Sequence, residues 1–197
     1  MYPSVISKLI EDFNRLPGVG EKTAERMAFA VLELNEDQVN SFSADLVDAK
    51  KNITNCTKCN SISDSEECSI CRDKTRNSDI LCVVESSKDV FLFEKTGKYQ
   101  GRYFVLNGLI SPIDGIGPEE LPLKKLIDFI DENRVKEVII AVKGTIEGET
   151  TALYIKKVLE NYDVCVSRIA SGIPVGAEME YVDSLTLESA LLNRKEI

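Results

Sequence analysis

The chain has 197 residues, of which 43% are hydrophobic and 29% charged, with a formal net charge of −9 and no histidine. That length holds one medium domain plus small modules, and the composition is that of a soluble globular protein. The acidic balance argues against an autonomous, strong polyanion binder, since affinity for nucleic acid is largely phosphate neutralisation. No apolar run approaches the ~20 residues that span a bilayer, and Met1-Tyr2-Pro3-Ser4 lacks the basic start and apolar core of a secretory signal.

The first segment, residues 4–15, carries Val5, Ile6, Leu9, Ile10 and Phe13 at helical spacing. It stops at Leu16-Pro17-Gly18-Val19-Gly20, and a second helix is expected from about Glu21 into Leu34, with Ala24, Met27, Ala28 and Val31 on one face. Gly18 and Gly20 permit positive φ and close backbone approach. Their amides, with the positive end of the following helix, make an anion-binding nest suited to a phosphate. Lys22 and Arg26 lie four apart on the helix face just beyond it. An ordinary helix–helix turn with two solvated cations is the plainer alternative. Residues 36–51 read as a third helix, with Val39, Phe42, Leu46 and Ala49.

Two Cys-x-x-Cys pairs follow, Cys56/Cys59 and Cys68/Cys71. Each pair puts two thiolates on one tight turn, and two facing turns supply the tetrahedral sulfur cage that Zn²⁺ prefers. Without histidine the cage is all-cysteine, one structural zinc per chain. The loop from Asn60 to Glu67 is too short for a core of its own, so metal would supply most of the local folding free energy. The alternatives are free thiols or a redox pair, but the flanks Thr57, Lys58, Asn60 and Ser61 are polar and turn-like rather than a strand leading into a helix. Paired cysteines read as metal ligands place the chain in the reducing cytoplasm. Cys82 and Cys165, in apolar β-rich runs, are expected to be buried small hydrophobes.

Residues 72–79 read as a charged linker, after which the period changes. Strands are expected at Ile80–Val84, Tyr103–Leu106, Glu137–Val142 and Asp163–Ile169. Helices are expected over Leu121–Asn133 and Glu149–Asn161, with a helical or irregular segment at 86–96 and a long Gly/Pro-rich ordered loop at 107–121. Strands alternating with helices indicate a parallel α/β sheet. The tail, Ser184–Asn193, reads as a short helix. Glu85 ends the first strand, and Glu147 and Glu149 follow the third. In parallel sheets such strand ends converge on one crevice, where three carboxylates suit Mg²⁺ or simply sit at a helix start favoured by the macrodipole. Lys143, four residues before Glu147, could reach the carboxylates and stand in for a divalent cation, or point into solvent.

The string LPGVGEKTAERMAF resembles the helix-hairpin-helix motif, which implies sequence-independent DNA-backbone contact through Gly18, Gly20, Lys22 and Arg26. The strand–acid layout resembles the Toprim domain of topoisomerases, primases and small nucleases. That family's D-x-D is here Glu147-Gly148-Glu149, whose longer side chains would shift a metal outward. In this order and at this length, hairpin, four cysteines and Toprim-like domain resemble the RecR family of bacterial recombination mediators. Three further strings carry the resemblance: Gly101 to Leu106 (GRYFVL), Ser111 to Pro118 (SPIDGIGP), and Arg168 to Ala170 with Gly172 to Gly176.

The resemblance implies a non-catalytic, homo-oligomeric scaffold, a dimer or a tetrameric ring or clamp on DNA. It also implies action with RecO and RecF to load RecA on gapped or single-stranded DNA. The division it implies is a hairpin domain at 1–52, a zinc finger at 53–77, a Toprim-like α/β domain at 78–174 and an oligomerising tail at 175–197. Glu85, Glu147 and Glu149 become a partner-binding or vestigial Mg²⁺ site. The chain departs from the family at Lys143-Gly144, Ser171 and Ala177, where Asn-Pro, His and Gly are usual. The alternatives are a metal-dependent Toprim nuclease or related phosphoryl-transfer enzyme using the three glutamates, and a zinc-containing protein-interaction module.

Overall fold

Three helices open the chain: α1 (Ser4–Asn14), α2 (Glu21–Leu32) and α3 (Glu36–Asn52). α1 packs against α2. The buried residues of α2, Ala24 and Ala28, are small enough to let the two backbones approach. Tyr2 adds an edge-to-face contact with Phe29 at 5.6 Å between ring centres. α3 starts at a capping box: Gln38 N–H donates to the Asn35 side chain at 2.9 Å, and Asn35 N–H donates to the Gln38 side chain at 3.0 Å. Along α3, Phe42, Leu46 and Val47 stay exposed. This computed structural model describes residues 2–194, and the chain divides into two compact units, Met1–Ile53 and Thr54–Ile197.

The second unit begins with a two-strand antiparallel hairpin, β1 (Thr54–Asn55) and β2 (Ile62–Ser63), and a single helical turn, α4 (Ser69–Arg72). Four parallel strands follow: β3 (Asn77–Val84), β4 (Gly101–Val105), β5 (Glu137–Ala141) and β6 (Cys165–Arg168), in the order β4-β3-β5-β6. They are linked by α5 (Ser87–Lys95), α6 (Leu123–Asn133) and α7 (Ile146–Val158), and α8 (Ser184–Leu192) lies near the C-terminus. Alternation along the strands makes two cores. Leu81, Val83, Phe104, Val138 and Ile140 pack with Leu126 and Phe129 of α6 and Ile155 of α7. Their neighbours Cys82, Val84, Tyr103 and Val105 point the other way and pack with Val90 of α5.

Three details differ from the sequence reading. β3 begins at Asn77 rather than Ile80, because Asn77 N–H donates to Gln100 O at 2.9 Å across a register shift. α7 begins at Ile146 rather than Glu149, because Thr145 caps it by accepting from Gly148 N–H. Cys165 is exposed, not buried. It opens β6, an edge strand, on the same face as its partner Glu137. Cys82 is buried as expected.

The charged stretch before β3 is tied down by one long-range network. The Arg76 side chain, 12% exposed, pairs with Glu94 of α5 and donates to Gly101 O at 3.1 Å. The Tyr103 hydroxyl donates to the same carboxylate at 2.8 Å. Burial pushes the Glu94 pKa up, but the bonds from Arg76 and Tyr103 outweigh it and hold the carboxyl below its usual range. A folded-state pKa below the unfolded one gives stability that is present above the unfolded value, near ~4.3, and is lost as pH falls through the folded value. Glu94→Gln should therefore cost about 2 kcal/mol near neutral pH. In urea unfolding followed from pH 7 to pH 3, the gap between the variant and the parent should close below pH ~4.

Candidate functional site

The two cysteine turns are built by backbone bonds. In the first, Asn60 N–H donates to Cys56 O at 3.0 Å and Cys56 N–H to Ser61 O at 2.7 Å. Asn60 sits at φ 63°, a left-handed conformation that asparagine tolerates. In the second, Cys68 precedes α4 and Cys71 lies within it. The four sulfur atoms all fall within 4.8 Å of one another, and the Cys59 and Cys68 sulfurs are 3.6 Å apart. A tetrahedral Zn²⁺ with Zn–S of about 2.3 Å demands sulfur–sulfur edges of about 3.8 Å, so the spacing fits that ion. Cys68 N–H donates to Cys56 Sγ at 3.3 Å.

The protonation pattern agrees with the geometry. Mutual hydrogen bonding and burial push the Cys59 and Cys71 thiols up, while hydrogen bonds from Cys59 and Cys71 pull Cys68 down. Bringing several thiols this close makes the ionisation of each unfavourable to its neighbours. A dication removes that conflict by letting all four ionise, and soft sulfur donors select Zn²⁺ over Mg²⁺ or Ca²⁺.

The cage is joined to the sheet. Cys56, Cys59 and Cys68 belong to the same apolar core as Leu81, Phe104 and Leu126. Val105 N–H donates to Cys59 O at 2.9 Å, and the Asn60 side-chain amide donates to Val105 O at 2.9 Å. β4 is an edge strand, and the first cysteine turn closes the end of that edge. On the far side of β3, Ile62 N–H donates to the hydroxyl of the buried Ser87 at 3.0 Å.

At the C-terminal ends of the strands stand the acidic residues. Glu85 follows β3, and Glu147 and Glu149 both lie in the first turn of α7. Lys143 Nζ reaches Glu85 at 3.1 Å, and Arg168 at the end of β6 pairs with Glu149. Glu147 is partly exposed and held below the usual carboxylate range, first by the Thr145 hydroxyl, then by its own backbone and by Lys143. A Cβ on Gly148 would stand 1.9 Å from Lys143 O, so only glycine lets α7 start this close to the strand's exit. The buried Thr151 accepts from Ile110 N–H at 2.9 Å and donates to Glu147 O at 2.7 Å, clamping the Gly/Pro-rich loop onto the same turn. Among the described residues, the cysteine quartet is the set of three or more Cys, Asp or Glu donors close enough to share an ion. Glu85 and Glu149 are instead each paired with a cation. Sequence reasoning missed Arg168 and Thr151 as parts of this crevice. An arginine at the end of the last strand was the available signal for the first.

In the N-terminal unit, Gly18 adopts φ 81° and Gly20 caps α2 with extended backbone. Gly20 brings no side chain to the first-turn amides, which leaves room for an anion there. Lys22 and Arg26 project from the same helix and are accessible.

A glycine-turned helical hairpin, a four-sulfur cage and a parallel sheet with acidic strand ends define a helix-hairpin-helix protein of the Toprim class. Residues 6–50 match the RecR helix-hairpin-helix family, 79–170 the Toprim domain family and 172–195 the RecR C-terminal family. A protein described as "Recombination protein RecR", from Staphylococcus saprophyticus subsp. saprophyticus, is 46% identical over 196 residues, covering 100% of this chain and 99% of that protein. The chain belongs to the RecR family.

Replacing one ligand should uncouple the cage from the sheet. Cys68→Ser is expected to lower bound metal from about one ion per chain and to speed amide exchange at Val105, whose N–H is held by Cys59 O. Metal analysis with residue-resolved hydrogen exchange checks both, and unchanged exchange at Val105 would contradict the coupling.

Proposed function

We propose that this chain is a recombinational-repair scaffold that binds DNA and partner proteins and turns over no substrate. The observation that carries the reading is the full-length match to a recombination protein RecR, supported by a hairpin whose Gly18–Gly20 turn and Lys22 and Arg26 suit phosphate. The working parts are a DNA-contacting hairpin at 1–52, a zinc finger at 53–77, a Toprim-like domain at 78–174 and an oligomerising tail at 175–197. Cys56, Cys59, Cys68 and Cys71 hold one structural Zn²⁺. By family membership the partners are RecO and RecF, and the outcome is RecA loading on gapped or single-stranded DNA. The reducing cytoplasm suits four ligating thiolates, and among the described residues no helix is long and apolar enough to cross a membrane.

The reading includes assembly, for two reasons. The net charge of −9 opposes tight binding by one subunit, whereas several hairpins on one duplex multiply weak contacts through effective concentration. The exposed apolar residues Phe42 and Leu46 of α3, and Val175, Met179, Tyr181 and Leu185 nearer the C-terminus, are suited to meeting further copies.

Two experiments test the parts separately. Lys22→Ala with Arg26→Ala should weaken DNA binding about equally across sequences and flatten its dependence on salt, read by fluorescence anisotropy at several salt concentrations. Binding equal to the parent at matched salt removes the hairpin as the DNA site. Glu147→Gln with Glu149→Gln should weaken RecO binding while leaving metal content and DNA binding intact. Mg²⁺-dependent DNA cleavage by the parent, abolished by Glu85→Gln, would replace the scaffold with the nuclease reading.

A further inference from the structure

Four thiolates around one Zn²⁺ carry a net charge of −2. Here that charge would lie among apolar side chains, with Cys56 0% and Cys59 1% exposed. It would also lie in a chain already at −9, with Glu66 and Glu67 in the loop between the two cysteine pairs. A buried anion is costly unless donors or cations offset it; Cys68 N–H, which donates to Cys56 Sγ at 3.3 Å, is one such donor, and a cation would add to it.

The geometry points to Lys125 of α6 as the fixed positive charge that offsets the metal–thiolate cage and braces its first turn. Its ammonium donates to Cys56 O at 3.2 Å. The same carbonyl accepts Asn60 N–H at 3.0 Å, the bond that closes the Cys56–Cys59 turn, so both donors converge on the backbone of a ligand residue. α6 delivers the ammonium on a rigid mount, because the neighbouring Leu126, with Phe129 and Ile130, packs in the same core as the cysteines. The cleft beside it, about 420 Å³, also holds Glu66, Glu67, Asp128 and Glu132. Even so, the ammonium is bonded to the cage's backbone. Lys58, on the cysteine turn itself, reaches Glu132 instead, at 3.7 Å. Lys125 thus acts as a positioning residue: it touches the ligand's backbone rather than the metal, and its charge lowers the electron density that the thiolates present.

This inference rests on reading the quartet as a metal cage, and the experiment separates the two. The full chain is purified with zinc, and in parallel with Co²⁺, as the parent and as Lys125→Arg, Lys125→Gln and Lys125→Met. Zinc content, zinc release to a colorimetric chelator and the thiolate-to-cobalt charge-transfer band are measured. All four proteins should start with one metal per chain. Lys125→Gln and Lys125→Met should release zinc about tenfold faster and move the charge-transfer band to lower energy. Lys125→Arg should stay near the parent. The glutamine variant keeps a donor for Cys56 O but no charge, so parent-like behaviour there reduces the role to a hydrogen bond and overturns the charge assignment. Parent-like release and band position in the methionine variant overturn the inference outright, as does an arginine variant as defective as methionine. A parent chain that carries no metal overturns the cage reading first.

Discussion

The C-terminal unit depends on how four thiols come to share one small volume. Their sulfurs lie within 4.8 Å of one another, a distance at which several neighbouring thiolates repel and neutral thiols gain little. A dication is the simplest agent that turns this crowding into attraction. The benefit is not confined to the loop between the pairs, because Cys59 O and the Asn60 side chain hold both polar backbone groups of Val105. Those groups would otherwise be the open end of an edge strand. Leu106 N–H in turn bonds Val84 O at 3.0 Å, and Glu85 follows at once. The route from cage to crevice is therefore a few backbone hydrogen bonds long, through β4 and β3 and without a flexible segment.

The crevice shows a different solution to crowded charge. Three carboxylates near strand ends invite a divalent ion, yet Lys143 and Arg168 take up Glu85 and Glu149. A tethered ammonium or guanidinium neutralises locally at no cost in bound ion, but it offers no open coordination position and no Lewis acidity. On the proposed reading, that balance suits recognition better than phosphoryl chemistry. Glu147, partly exposed, has no ion pair of its own among the described residues, and Thr145 and Lys143 hold its carboxyl below the usual range. The closeness of α7 to Lys143 O, possible only with Gly148, is what sets these charges side by side.

Much of this was legible from residue spacing. The Cys-x-x-Cys pairs announced the cage because four like donors at short spacing have few other uses. The glycine turn between two amphipathic stretches announced the hairpin. The switch from helical period to short apolar runs announced the parallel sheet. What could not be read was set by partners distant in sequence. Arg76 looked like linker because Glu94 and Gly101 O, which make it part of the sheet's support, lie 18 and 25 residues away. Cys165 looked like core because its run is apolar, and only the strand order makes β6 an edge. Thr145 and Thr151 carry no periodic signal; one caps α7 and the other bridges it to a loop 41 residues earlier.

The hairpin unit poses the sharper physical question, how an acidic chain would hold a polyanion. Its answer on the proposed reading is the placement of a few groups, not their number. Backbone amides at the start of α2 carry partial positive charge whatever the net charge of the chain, and Gly18 and Gly20 leave the approach to them free of side-chain bulk. Lys22 and Arg26 add two full charges on the same helix, while the acids elsewhere repel DNA that arrives in any other orientation. Such a site would bind weakly alone and gain sharply where copies act together. On the proposed reading it would let go when the assembly opens, a property that a strongly basic surface would lack.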